Sequence, residues 1–180
     1  MPLRVIAGTL GGRRLEGPPR TGVRPTADRV REALFEVLGG VVEGARVLDL
    51  YAGTGAIGIE ALSRGAAWCD FVESDPKAQA VIRENLTRTA LLDVSKVYPV
   101  TVARALSRLR GPYDLVVADP PYEYDRAESE LVQVVTGGLL AEDGILAVEH
   151  SQRKPWPQTL GGRTQLASRR YGDTRVTFYR

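Results

Sequence analysis

Apolar and polar positions follow two different periods along this chain. Between residues 46 and 150, short continuous apolar runs alternate with segments whose apolar residues recur every three to four positions. The runs predict strands near 46–51, 68–73, 96–101, 113–118 and 144–150, and the segments between them predict helices near 56–65, 76–90, 103–110 and 127–138. Such alternation implies an α/β fold: a mostly parallel sheet with right-handed crossovers, covered on both faces, that binds ligands at the carboxyl ends of its strands. A terminal hairpin, Thr164 to Tyr171 and Thr174 to Tyr179, extends the sheet edge antiparallel. Its Gly172-Asp173 junction suits a primed turn with glycine first.

A different pattern precedes the alternation. Leu3 to Ala7 and Arg13 to Glu16 flank a glycine-bearing turn, Gly8 to Gly12, and read as a hairpin too small to be stable unless it docks. Arg24-Pro25-Thr26-Ala27-Asp28 then opens a helix with Thr26 as its N-cap and Val30, Leu34 and Leu38 (or Ala33 and Val37) as its buried stripe. Arg24, Arg29 and Arg31 fall outside that stripe, where a solvated face and an RNA contact fit equally well. The division expected is a basic extension over 1–23 and a single domain over 24–180.

Composition bounds the chemistry. At 180 residues the chain can bury a real core. One cysteine, Cys69, excludes an intramolecular disulfide, and one histidine, His150, leaves no Ser-His-Asp triad or histidine metal cluster to assemble, so no metal is expected. With no run of about 18 apolar residues and no signal-peptide core at the N-terminus, a cytoplasmic location with no membrane partner is expected. Net charge is only +2, but it is unevenly spread. Residues 1–31 carry +5, residues 150–180 carry +6, and residues 32–149 carry −9. Two basic ends around an acidic middle are the footprint of a phosphate-binding surface, and arginine outnumbers lysine 21 to 3. A GC-rich genome produces the same arginine bias.

Two motifs carry candidate chemistry. Asp119-Pro120-Pro121-Tyr122 follows an apolar run, and two prolines cannot extend a strand ladder, so the chain turns sharply there. The turn gathers a carboxylate, a free backbone carbonyl and an aromatic ring. Two acceptors aimed at the two hydrogens of a planar amino group would orient it, and Tyr122 would stack on the ring that bears it. Upstream, Asp49-Leu50-Tyr51-Ala52-Gly53-Thr54-Gly55 runs from a strand into a glycine turn and a helix, where backbone N–H groups and close approach favour a cofactor. Residues 53–58 also match the dinucleotide pattern GxGxxG, with Glu73 twenty residues on. Asp49 decides against a dinucleotide, because a carboxylate just before the glycines suits a cationic ligand and opposes a pyrophosphate. S-adenosylmethionine, with its ammonium and sulfonium, is such a ligand. Glu73, at the end of the next strand and ahead of Ser74, suits the two ribose hydroxyls.

These blocks together resemble the RsmD family of bacterial 16S rRNA guanine-N2 methyltransferases over essentially the whole length. The similar stretches are RVIAG…GRRL, RPTADRVREALF, DLYAGTGAIGIEALSRGA, VESD, ADPPY and the final YGDT hairpin; RPTADRVRE with the N-terminal hairpin is the specific part. The resemblance implies a Rossmann-like class I S-adenosylmethionine-dependent fold and methyl transfer to the exocyclic N2 amino group of one guanine. The implied partner is 16S rRNA within the small ribosomal subunit or its assembly intermediate, met by a monomer. Its implied catalytic set is Asp119, Pro120, Pro121 and Tyr122, and its cofactor set is Asp49, Tyr51, Gly53, Thr54, Gly55, Glu73, Ser74, Ala103, Arg104 and Thr26. RNA contacts are expected at Arg4, Arg13, Arg14, Arg24, Arg29 and Arg31. One departure stands out: relatives commonly carry an acid for the adenine amino group where this chain has Arg104, which cannot accept a hydrogen bond. Adenine recognition then falls to backbone groups near Ala103 to Ala105 or to another residue. Two other classes share parts of the pattern. Enzymes that methylate adenine in DNA or glutamine in proteins use a similar turn, more often with Asn first, and a silent RNA-binding domain would share the basic ends but has no use for acids at 49, 73 and 119.

Overall fold

The computed structural model describes residues 2–18 and 25–180, without the side chains of Pro25 and Thr26. Five strands form the parallel part of one sheet: β1 (Arg46–Leu50), β2 (Trp68–Val72), β3 (Ser95–Tyr98), β4 (Tyr113–Ala118) and β5 (Leu140–Ser151). The hairpin of β7 (Arg163–Tyr171) and β8 (Thr174–Tyr179) joins antiparallel to β5, and a two-residue strand, β6 (Thr159–Leu160), closes the edge. The order is β3-β2-β1-β4-β5-β8-β7-β6. Strand order therefore reverses between β1 and β4, and the crevice at such a switch point is where open α/β sheets bind ligands.

Helices cover both faces, as the apolar runs of the central strands require. α1 (Pro25–Leu38), α2 (Ala56–Ser63) and α3 (Pro76–Arg88) pack on one face through Val30, Leu34, Ile59, Ile82 and Leu86 against Val47, Leu115, Val117 and Ala147. α4 (Val102–Ala105) and α5 (Ala127–Thr136) pack on the other through Val102, Leu131 and Val134 against Leu48, Leu50, Val116 and Val148. Gly58 sets how closely α2 approaches: a β-carbon there would lie 2.3 Å from the Phe71 ring and 2.6 Å from the Cys69 sulfur. Among the described residues, no helix is long and apolar enough to cross a membrane.

Differences from the expected elements have local causes. α1 starts at Pro25, a residue preset for the first helical turn, so Thr26 lies inside the helix and is not its N-cap. Its buried stripe is Val30, Leu34 and Leu38 joined by Phe35, while Val37 stays exposed. α4 is one turn long, not eight residues; it relaxes into hydrogen-bonded turns to Leu109 ahead of Gly111-Pro112. β5 begins four residues early, across a register shift opposite Tyr113 and Leu115. The N-terminal hairpin reduces to one antiparallel bridge, Arg4 to Arg14, and it is docked. Leu3, Val5 and Leu15 enter the same core as α1 and α2, and the buried Glu60 carboxylate accepts from the amides of Ile6 (2.7 Å) and Ala7 (3.0 Å).

Candidate functional site

The carboxyl ends of β1, β2 and β4 open onto two adjoining clefts that share Tyr51 and Asp119. The first, of about 360 Å³, is lined by Tyr51, Val72, Glu73, Ser74, Val100, Thr101, Val102, Asp119, Pro121 and Tyr124. Glu73 is placed by two amides: Gly53 N–H donates to Oε2 and Asp75 N–H to Oε1, both at 2.8 Å. The contact holds the glycine turn against the end of β2. Each oxygen keeps a further lone pair for a ligand hydroxyl. Gly53 (φ +57) and Gly55 (φ +77) take left-handed backbone at this turn, and Gly55 serves as the N-cap of α2.

Tyr51 also has a positive φ, +56, which strains a residue with a side chain. Its hydroxyl donates to Glu130 Oε2 at 2.5 Å, Tyr124 donates to the other oxygen at 2.7 Å, and the two rings meet edge to face with centroids 6.1 Å apart. Buried Glu130 on α5 thus ties the strained end of β1 to the loop after the Pro-Pro turn. Burial and this carboxylate push the Tyr51 hydroxyl far above the usual tyrosine range, so it stays a donor.

The second cleft, about 370 Å³, lies between α1 and the same strand ends. Ala27, Val30 and Leu34 give it an apolar wall, and Asp49, Asp119 and Glu149 give it an acidic floor. Strand register explains the acids. Asp49 pairs with Val117 and Ala118 with Val148, so Asp49, Asp119 and Glu149 all project from the face that α1 covers. Asp49 is buried and accepts from Gly58 N–H at 2.9 Å, and desolvation pushes its carboxyl well above the usual carboxylate range. Asp119 meets solvent through the cleft mouth yet is walled by protein on its other sides, and that enclosure raises it to about 7. Glu149 is raised to about 8 by desolvation and by Asp119 beside it. Three carboxyls that resist ionisation form a floor suited to a cation.

The structure gathers most of the expected residues. Asp49, Tyr51, Gly53, Thr54, Glu73, Ser74, Asp119 and Pro121 line one cleft or the other. Tyr122 is 44% exposed on the far side of the Pro-Pro turn, its hydroxyl 2.6 Å from Thr174 Oγ1; with Pro120 it borders a small hollow beside His150 and Trp156. Ala103 and Arg104 depart from expectation. Both are exposed and outside the first cleft, because helix α4 starts one residue earlier and turns Val100, Thr101 and Val102 inward instead. Arg31 also departs from the expected RNA-facing set. It is 5% exposed, donates to the Arg4 carbonyl at 2.6 Å and pairs with Asp28 (3.2 Å) and Glu60 (3.8 Å), so it holds α1 to the N-terminal hairpin. Arg4, Arg13, Arg14 and Arg29 are exposed; Arg24 and the Thr26 side chain lie outside the described residues. Tyr124, Glu130 and Glu149 were not foreseen. The second tyrosine of the Tyr122-Glu123-Tyr124 stretch after the prolines and the acid ending an apolar strand were the available signals.

A family model described as "Conserved hypothetical protein 95" matches residues 3–180. Ribosomal RNA small subunit methyltransferase D of Escherichia coli is 36% identical over 82% of this chain and 74% of its own length. The Bacillus subtilis protein YlbH is 36% identical over 99% of this chain and 98% of its own. Among solved structures, the Escherichia coli protein yhhF superposes with a TM-score of 0.88 at 31% identity, covering 99% of this chain and 97% of that one. SMU.776, solved in complex with SAH, shares the fold at 18% identity, with a TM-score of 0.70 over 93% of this chain and 52% of that one. With a family model matching residues 3–180, relatives 36% identical over most of the chain and a Rossmann-like sheet, the chain belongs to the RsmD family of S-adenosylmethionine-dependent methyltransferases.

Proposed function

We propose that the protein transfers a methyl group to the exocyclic N2 amino group of one guanine in 16S rRNA, within the small ribosomal subunit or its assembly intermediate. The observation that carries this reading is the position of Asp119. It lies at the switch point between both clefts, on a turn whose Pro121 lines the first cleft and whose Pro120 and exposed Tyr122 border the neighbouring hollow. Relatives named ribosomal RNA small subunit methyltransferase D supply the substrate class. In this reading residues 1–23 form a basic arm on the domain 24–180, with Arg4, Arg13, Arg14 and Arg29 meeting phosphates, and the protein acts as a cytoplasmic monomer.

The residues fit S-adenosylmethionine. Glu73 takes the ribose hydroxyls, Val72 and Val100 to Val102 enclose the adenine, and the acidic floor of the second cleft receives the cationic end. The bound cofactor supplies an electrophilic methyl on a positively charged sulfur. Asp119 and the Pro120 carbonyl accept from the guanine amino group and keep its nitrogen in line, while Tyr122 stacks on the flipped-out base. The proton leaves nitrogen for Asp119 during or after transfer. Methyl-labelled cofactor offered to unmodified small subunits, free 16S rRNA, DNA and total protein tests the reading. Label on guanine in small-subunit rRNA is expected; label on DNA adenine or protein glutamine would replace it with one of the other amino-methyltransferase readings.

A further inference from the structure

Beyond its place in the acidic floor, Glu149 has no role assigned in the transfer step itself. It follows Val148, the register partner of Ala118, so Glu149 and Asp119 are successive neighbours at the ends of adjacent parallel strands and project from the same face. Both line the second cleft, with buried Asp49 on β1 and Arg31 on α1 as the other charged groups there. The Arg31 guanidinium is held through Nη2 by Asp28 and the Arg4 carbonyl, and its Nε lies 3.8 Å from Glu60 without a hydrogen-bond partner. On the other side of β5, Glu149 pairs with Val176 of β8, which brings no charge. Among the described residues, no ion pair or hydrogen bond joins either carboxyl to a cation, and two like charges side by side at a cleft do not both ionise readily.

We propose that Glu149 is a positioning residue that shares one proton with Asp119: Glu149 keeps the proton and Asp119 carries the charge that accepts from the substrate amino group. This deepens the proposed function and rests on it. The neutral Glu149 carboxyl offers an O–H to Asp119 and fixes its orientation without adding a second anion to the floor. Charge follows one course through the transfer. A nitrogen–carbon bond forms as the carbon–sulfur bond breaks, the bonding pair stays on sulfur as a neutral thioether, and the proton released from nitrogen goes to Asp119. The pair is then fully protonated, and it loses one proton to solvent through the cleft mouth before the next turnover. Asp119 is exposed at the mouth shared by both clefts and Glu149 is half-buried in the second alone, which places the charge on the aspartate that meets the substrate and the retained proton on the glutamate.

Single-turnover methyl transfer at saturating cofactor, followed from pH 6 to 9 for the wild type, Glu149→Gln and Glu149→Ala, tests the pair. Wild-type rates should rise with pH as Asp119 ionises and fall again at higher pH as Glu149 ionises and repels it, with both limbs at or below the ligand-free values of about 7 and 8 because the bound cation favours the ionised forms. Glu149→Ala should be slower by at least about tenfold at pH 7.5 with cofactor affinity within a few fold, in line with loss of an orienting group. Glutamine, a neutral donor that mimics the protonated acid, should recover most of that loss and abolish the alkaline fall. Alanine as fast as the wild type, or glutamine as slow as alanine with the alkaline fall retained, would overturn the pairing. If alanine fails to fold, the glutamine profile alone decides. Transfer by the wild type to DNA or protein in place of rRNA would remove the substrate reading, and the same variants would then judge the pair on that substrate.

Discussion

The side-chain amide of Asn85, fully buried on α3, donates to the Thr54 carbonyl of the glycine turn at 3.0 Å. The same nitrogen reaches the Glu16 carbonyl at 3.1 Å, and Asn85 Oδ1 accepts from Glu16 N–H at 2.7 Å. One side chain thus fastens the glycine turn to the second arm of the N-terminal hairpin. Replacing it with alanine strands an amide and two carbonyls, each costly to leave unpaired, so Asn85→Ala should lose about 3 kcal/mol of stability. For a chain of this size, calorimetry should record a melting point lower by roughly 8 °C. A shift under about 2 °C would show that water replaces these bonds.

Glu73 should govern cofactor affinity. Loss of a charge-assisted bidentate contact costs on the order of 2–3 kcal/mol, so Glu73→Ala should weaken cofactor binding by about 30- to 150-fold in isothermal titration. The alanine also releases the Gly53 amide, so part of the loss belongs to a loosened turn. A folded variant with unchanged affinity would remove Glu73 from the ribose site.

The raised carboxyls give cofactor binding a pH signature. Asp49, Asp119 and Glu149 all titrate above their ordinary values, so the folded protein holds protons that the unfolded chain has released. Their contribution to stability is present at low pH and is lost as pH rises through the folded values, near 7 for Asp119 and 8 for Glu149. The ligand-free protein should therefore melt lower at pH 8.5 than at pH 6. A cation should restore what ionisation costs. S-adenosylmethionine should bind several-fold tighter at pH 8.5, while its neutral thioether product should show a weaker dependence. Equal dependence for both would place the sulfonium away from these acids.

Exposed Arg4, Arg13, Arg14 and Arg29 should make substrate binding salt-dependent. Neutralising any one should reduce the slope of log affinity against log salt by about one unit or less and leave cofactor binding unchanged. Arg31 should behave differently. As a buried tie between α1, Glu60 and the hairpin, Arg31→Ala should lower the melting point without acting on the salt slope alone.

Much of this could be read from the chain because β1, β2 and β4 are buried along nearly their whole length, and a buried parallel strand leaves a mostly apolar run that ends where the ligand site begins. Glu73 and Asp119 follow such runs directly and Asp49 is the last residue but one of β1, so their places at strand ends were legible. What stayed hidden depends on pairings distant in sequence. Arg31 reads as one of several arginines on a polar face until Glu60, 29 residues later, is seen to sit beneath it. Glu149 gains meaning only from register with Asp119, and Glu130 only because two tyrosines converge on it. One residue of helix phase sets Ala103 and Arg104 outside the cleft: α4 begins at Val102, and the cleft is lined by Val100, Thr101 and Val102.

The most direct test of the account sets the wild type beside Asp119→Ala on unmodified small subunits, with labelled cofactor, single-turnover rates and mapping of the label. The account predicts label on the N2 amino group of one guanine for the wild type. For Asp119→Ala it predicts a rate lower by at least about 100-fold with cofactor affinity within a few fold, as expected when a positioned proton acceptor is lost. Near-wild-type transfer by Asp119→Ala, or label on any group other than a guanine amino nitrogen, would contradict it.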